Sequence, residues 1–310
     1  MIPTLNQILA VFSLLAFAAT GVRVTQLSRF TRDTTAETAR RWGLVACVSG
    51  MLPGLLELCA EGSNEGSTYA QYFSAVMLLT PLIAMLGARN PGAAAWPWFV
   101  ILPLIIVLQW PAASQLASAG MSTALVVPTP TILGYLFVLV MGAGNYFGTA
   151  NTLQTMVAAS GAVCLLLPVT EWTGDGNGGF LAIGSVLIAV SVATIRLPTV
   201  ETDSNNPQHS VRALWSLFRD MYGLVWAKRV MDRVNQMIAR ESIDAVLTLD
   251  GFESTASGVG QHIDEPRTES ELVLPSRAIE IFCWVLRRFF KEQYLQRIFP
   301  DAPMEPGDSD

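Results

Sequence analysis

Seven apolar stretches, each about 20 residues long and separated by gaps that hold the local charge, fill the first 198 residues of this chain. A helix needs roughly 20 mostly apolar residues to cross a hydrocarbon core, and lipid leaves no backbone polar group unsatisfied. Runs of this length and spacing therefore fold as membrane helices. They lie at about 3–22, 42–60, 69–88, 97–117, 131–149, 152–170 and 179–198. Pro81 and Pro103 interrupt the third and fourth, but apolar residues continue on both sides, so kinks are expected there and not ends. The connection from Gly148 to Thr152 is so short that the fifth and sixth stretches read either as two spans or as a re-entrant pair.

Charge divides the chain in two. Residues 1–198 hold seven Arg and seven Asp or Glu, and no Lys or His. Residues 199–310 hold 12 Lys or Arg and 18 Asp or Glu, so the whole formal charge of −6 belongs to them. Nothing in this balance indicates a nucleic-acid partner. Positively charged short loops stay in the cytoplasm, and the loop from Arg23 to Arg41 holds five Arg, whereas Glu61 to Glu65 has two acids and no base. Seven spans then place the N-terminus outside and the C-terminal segment in the cytoplasm, in the inner (plasma) membrane. Ala16-Phe17-Ala18 resembles a cleavage site, but a basic n-region is missing and the arginines follow the apolar run, so the first stretch reads as a retained helix.

Ionisable groups inside a bilayer are costly and mark function by default. Apart from Arg196 at the end of the seventh, the spans hold one charged residue, Glu57, near the expected outer end of the second. It reads as an interfacial carboxylate or as a cation or proton site. Without His in any span, bis-His haem ligation and a membrane HExxH protease are excluded; without Lys, so is a retinal Schiff base. The cysteines Cys47, Cys59, Cys164 and Cys283 form no CxxC or Cys/His cluster, so no metal or cofactor is indicated. The richest polar segment runs from Met141 to Gln154. Gly144 and Gly148 form a GxxxG pair there and Ala158 with Ala162 a similar one, spacings that suit close helix packing with Asn and Gln bonding between helices. The alternative is that Asn145, Tyr146, Asn151 and Gln154 line a polar pocket. Asp175-Gly-Asn177-Gly has the start of a calcium loop but not its end, and reads as a turn.

The C-terminal segment opens with a polar linker and then a helical pattern over about 210–241. Trp215, Phe218, Tyr222 and Trp226 form one stripe, followed by an amphipathic back half with Lys228, Arg229 and Arg233 outward. The pattern suits either a helix on the membrane surface or the core of a small domain. Ala245 to Leu249 reads as a strand paired with 271–274 across a loop, and a second helix is expected over about 275–298 with Arg287, Arg288 and Lys291 among its aromatics. Trp215, Phe218, Tyr222, Trp226, Arg229, Arg233, Arg287, Arg288 and Lys291 together form a candidate interaction surface for a protein partner or the membrane.

The string Trp215-x-x-Phe-Arg-Asp-x-Tyr-Gly-Leu-Val-Trp-Ala-x-Arg-Val-x-x-Arg-x-Asn235, with Asp250-Gly-Phe252 after it, resembles uncharacterised multi-pass membrane proteins of planctomycete bacteria. That resemblance covers roughly 40 residues. It implies a bacterial inner-membrane setting and no activity. The sequence as a whole reads as mainly α: a polytopic helical membrane bundle of about seven helices with a small, mostly helical cytoplasmic C-terminal domain. For function it ranks a non-enzymatic scaffold or sensor first. A transporter or channel for an uncharged or amphipathic substrate comes next, and a membrane enzyme last, since no carboxylate is paired with a His.

Overall fold

A computed structural model describes residues 4–59, 65–88, 96–120, 124–171, 177–198, 207–254 and 274–300. The chain divides into two compact units. One contains residues up to 32, 36–88 and 92–196; the other contains 33–35, 89–91 and everything from Leu197.

The first unit is mainly helical over its described length. Its helices are α1 (Leu5–Gln26), α2 (Ser28–Thr31), α3 (Glu37–Cys59), α4 (Glu65–Met77), α5 (Thr80–Leu86), α6 (Trp96–Ala119), α7 (Thr129–Gly144), α8 (Thr152–Leu166) and α9 (Asn177–Thr194). A 3₁₀ turn, Leu167–Val169, extends α8. A capping box opens α1, with the Thr4 hydroxyl and the Gln7 amide each satisfying the other's backbone N–H. Five segments are long and apolar enough to cross a membrane: Leu5–Thr31, Glu37–Cys59, Gly66–Leu86, Trp98–Ala119 and Thr152–Val169. Two shorter apolar helices, Thr129–Gly144 and Gly179–Thr194, accompany them. The stretch expected at 131–149 is therefore helical only to Gly144. Beyond it the chain turns at Asn145–Asn151, with Gly148 at φ +85°. The helices at the first two stretches also take in flanking polar residues, so Arg23, Arg40 and Arg41 lie on helices.

This unit is inverted relative to a protein folded in water. Phe99, Leu153, Trp110 and Phe137 are about 70% exposed, whereas Ser74, Thr80 and Ser185 are buried. In water each exposed ring would forgo roughly 1.5–3 kcal/mol of burial. Against lipid tails that cost vanishes, and the polar residues turn inward to find hydrogen-bond partners.

Small residues set the helix crossings. On α3, a Cβ at Gly50 would overlap the Phe17 ring, and one at Gly54 would lie 3.0 Å from the Ala10 carbonyl oxygen, so Gly50-x-x-x-Gly54 admits α1. Between α8 and α9, a Cβ at Gly161 would stand 2.8 Å from the Gly184 oxygen, and the reverse distance is also 2.8 Å. The expected Gly144/Gly148 pair does not pack a helix, because α7 ends at Gly144 and Gly148 lies in the turn.

The second unit has the opposite, water-adapted organisation. Its elements are α10 (Pro207–Tyr222), α11 (Leu224–Arg240), strands β1 (Val246–Leu247) and β2 (Phe252–Glu253), α12 (Ser276–Leu286) and α13 (Glu292–Ile298). Aromatic rings fill its core: Trp215, Phe218, Tyr222, Phe282 and Phe290 are inaccessible to solvent. Phe218 and Tyr222 stack at 4.8 Å, and Phe289 meets Phe218, Tyr222 and Trp226 edge-on at 4.9–5.3 Å.

Three expectations for this unit change. The helix expected over 210–241 breaks at Gly223, whose φ of +80° and ψ of 178° fall in a region essentially reserved for glycine. The strand at Val246–Leu247 pairs antiparallel with Phe252–Glu253 across a turn closed by Gly251, and 271–273 lie outside the described residues. The helix expected over 275–298 is interrupted because the backbone at 289–291 is used elsewhere. Thr34 bridges Phe290, the Thr35 N–H donates to the Phe289 oxygen and the Lys291 N–H to the Asp33 oxygen. A backbone committed to a β-type ladder cannot also close helical turns.

Candidate functional site

Proline removes the donor that would satisfy the carbonyl four residues back, and in a bilayer that carbonyl must find another. Pro53 within α3 leaves the Ser49 oxygen without its helical partner, and the Ser74 hydroxyl from α4 lies 2.6 Å away. Ser74 also lies 2.8 Å from the Ala70 oxygen of its own helix. The Ala70 oxygen has a helical N–H partner, so the shared proton serves Ser49. Pro81 orphans the Met77 oxygen, which the Thr80 hydroxyl caps at 2.7 Å. At the same break the Leu79 N–H bonds Val76, one residue short of the helical register, which frees the Ala75 oxygen for the Tyr135 hydroxyl of α7 at 3.0 Å.

One turn of α4 thus ties together four other helices. Gln71 donates to the Leu165 oxygen at the end of α8, Tyr72 to the Leu108 oxygen of α6 and Ser74 to α3, while Ala75 accepts from α7. Gln71, Tyr72, Ser74 and Tyr135 are all buried. This hub contains neutral donors and carbonyl acceptors only, so it is suited to holding or shifting broken helices and to binding polar neutral groups, not to acid–base chemistry. Beside it, two buried polar atoms have no partner among the described residues: the Tyr69 hydroxyl, one turn before Tyr72 on α4, and the Gln109 amide nitrogen, next to Leu108 on α6. Sequence reasoning passed over this hub. Its signal was Tyr69-Ala-Gln-Tyr-Phe-Ser74, a polar run inside an apolar stretch and two turns before a proline.

The residues singled out from sequence fall elsewhere. Asn151 clasps the end of α9: its Nδ2 donates to the Arg196 oxygen and its Oδ1 accepts from the Arg196 N–H, both at 3.1 Å. Gln154 donates to the Thr194 oxygen at 3.2 Å, and its backbone oxygen accepts from the Ser191 hydroxyl at 2.7 Å. Gln154 thus satisfies the last carbonyl of α9 and Asn151 the backbone just past it, groups that an apolar surrounding would leave costly. Asn145 is buried in the turn after α7, and the Tyr146 oxygen accepts from the hydroxyls of Thr149 and Thr152 at 2.8 and 2.9 Å. Glu57 lies in the last turn of α3, half-buried, on a separate element.

In the second unit the expected interaction surface splits. Trp215, Phe218 and Tyr222 are core residues, so they present no surface to a partner. The Trp215 indole donates to the Thr248 and Leu249 oxygens at 2.9 and 3.1 Å. Asn235 clasps both backbone groups of Leu247 at 2.7 and 2.8 Å, and Phe252 packs edge-on against Phe282 at 5.8 Å. Arg287 pairs with Glu292 at 3.3 Å and Lys291 with Asp33 at 2.9 Å. Trp226, Arg229, Arg233 and Arg288 remain together around one groove.

Comparison with known proteins adds one line of similarity. Over 163 residues the chain is 32% identical to the multidrug efflux pump Tap of Mycobacterium tuberculosis and, equally, of Mycobacterium bovis. The matched segment takes in 51% of this chain but only 33% of the length of those relatives. No family model matches, and no solved structure does.

Proposed function

We propose that this chain is a multi-pass inner-membrane protein that acts in export of an uncharged or amphipathic solute. The half-chain similarity to multidrug efflux pumps carries the reading, and it favours transport over the scaffold or sensor that the sequence ranks first. The structure is compatible in two respects. Helix α3, which carries Pro53, and the α4–α5 break before Pro81 meet at one polar hub, and a helix interruption of the latter kind accompanies substrate sites in transporters. The Tyr69 hydroxyl and the Gln109 amide nitrogen, without partners among the described residues, offer neutral hydrogen-bonding capacity next to it. All seven apolar helices cross the bilayer in this reading, with the C-terminal segment in the cytoplasm.

The test is accumulation of fluorescent amphipathic drugs in inverted vesicles or proteoliposomes carrying the purified chain. Transport by the native chain, reduced several-fold in Tyr69→Phe and Gln109→Leu with unchanged yield and helicity, supports the proposal. No transport of any member of a chemically varied panel would remove its basis. Reporter fusions after residues 33 and 200 read the orientation: cytoplasmic signals at both are expected.

A further inference from the structure

An open groove of about 390 Å³ runs between α11 and α12 within the second unit. Its walls carry three guanidinium groups. Arg229 and Arg233 stand four residues apart on α11 and so share a face, while Arg288 comes from the turn after α12. Two indoles, Trp226 and Trp284, flank them, and Val230, Val285 and Phe289 form an apolar floor. The Arg229 guanidinium lies over the Trp226 ring at 4.9 Å, which fixes its plane and leaves its N–H edge available. Arg233 donates to Gln236 at 2.9 Å. Among the described residues no carboxylate forms an ion pair with any of the three, although Arg219, Arg277 and Arg287 of the same unit are all paired.

Arginine forks match phosphate oxygens two at a time, and indoles combine an apolar body with an N–H, which suits them to the edge of a bilayer. We infer that this groove binds the headgroup of an anionic phospholipid, with the phosphodiester held between Arg229, Arg233 and Arg288 and the glycerol end against Trp226 and Trp284. The apolar floor distinguishes it from a site for a free anion. Only the stretch 195–206 separates α9 from α10, a contour of at most about 43 Å, so this unit is tethered to any bilayer that holds α9. The inference rests on the membrane placement proposed above but not on transport.

The experiment titrates the whole 310-residue chain, held in neutral maltoside micelles, with dihexanoyl phosphatidylglycerol, dihexanoyl phosphatidylcholine, inorganic phosphate and an acidic peptide, using calorimetry. Saturable binding of the phosphatidylglycerol is expected, with little response to the choline lipid. Each of Arg229→Gln, Arg233→Gln and Arg288→Gln should weaken it roughly tenfold, as expected for loss of one charge-assisted contact. Arg212→Gln, an exposed arginine of α10 outside the groove, should not change it. All four positions are solvent-exposed, so the variants should keep the native melting profile. Equal binding by the triple groove variant and the native chain overturns the site. Phosphate binding as tight as the lipid overturns the lipid assignment in favour of a free anion, and saturation by an acidic peptide in place of the lipid overturns it in favour of a protein partner. Export that fails while lipid binding persists counts against the proposed function and leaves the groove assignment intact.

Discussion

Replacing Ser74 by Ala tests the account of the proline-broken bundle most directly, provided it is made in two backgrounds. With Pro53 present, Ser74→Ala removes the hydroxyl that lies 2.6 Å from the Ser49 oxygen, and that carbonyl is left without a donor in a low-dielectric interior. The cost expected is about 1–2 kcal/mol, the range for an orphaned buried acceptor and for interhelical hydrogen bonds in membranes. In Pro53→Ala the new N–H at position 53 reaches back four residues to the same oxygen, so the subsequent loss of Ser74 should cost only about 0.5 kcal/mol or less. The small cavity left by the missing hydroxyl is common to both backgrounds and cancels in the cycle. A coupling of about 1 kcal/mol is therefore expected between two residues on different helices. Reversible unfolding by SDS in mixed micelles, followed by far-ultraviolet circular dichroism, measures each corner. An equal cost of Ser74→Ala in both backgrounds refutes the idea that Ser74 substitutes for the donor that proline removes.

Other predictions concern the helix crossings and the second unit. Gly161→Ala forces a methyl to within 2.8 Å of the Gly184 oxygen, a backbone atom that cannot swing away, and should destabilise the α8–α9 pair by about 1–3 kcal/mol in the same unfolding assay. Ala158→Gly, on the same helix, should have a smaller effect. Gly223→Ala places a side chain at φ +80° and ψ 178°, and a loss of about 1–3 kcal/mol should appear as a lowered melting temperature of the α10–α11 region. Burial first, and the nearby Glu280 second, push the Cys283 thiol up to about 12, so it should resist alkylation at pH 8 until the unit unfolds; labelling at the rate of a free thiol in the folded chain would contradict this. The Arg277 guanidinium holds the Glu241 carboxyl below its ordinary range, so the stability contributed by this exposed pair is present above the unfolded carboxyl value. It should fade as pH falls through the lowered value, while Arg277→Met should make the acid limb of the melting curve flatter.

The helical membrane character was legible because it depends on run length and charge placement, both one-dimensional quantities. The element boundaries were less so. Gly223 sits in a helical pattern without any local proline, and the aromatic stripe on either side continues in phase, so periodicity alone carries a helix through it. Likewise nothing local ends the helix over 275–298. Its break at 287–291 comes from pairing with Asp33–Thr35, some 250 residues away in the chain, and no window of sequence contains both partners. The candidate site shows the same division. Asn145, Asn151 and Gln154 drew attention as polar residues in an apolar setting, and they are indeed buried or half-buried. What they bond, the end of α9 for Asn151 and Gln154, is a matter of which helix lies alongside. The hub at Gln71–Ala75 was missed because Tyr and Ser are unremarkable in a span until the prolines of other helices are placed beside them.

By itself, then, the sequence determined what kind of solvent each part of the chain requires: lipid for the apolar helices and water for the charge-dense remainder, since transfer free energy is a sum over residues and needs no partner. Only the tertiary structure decided which carbonyls proline leaves bare, who satisfies them, and which arginines gather around a common groove. Those are properties of pairs, fixed by which surfaces the packed helices bring within 3 Å of one another.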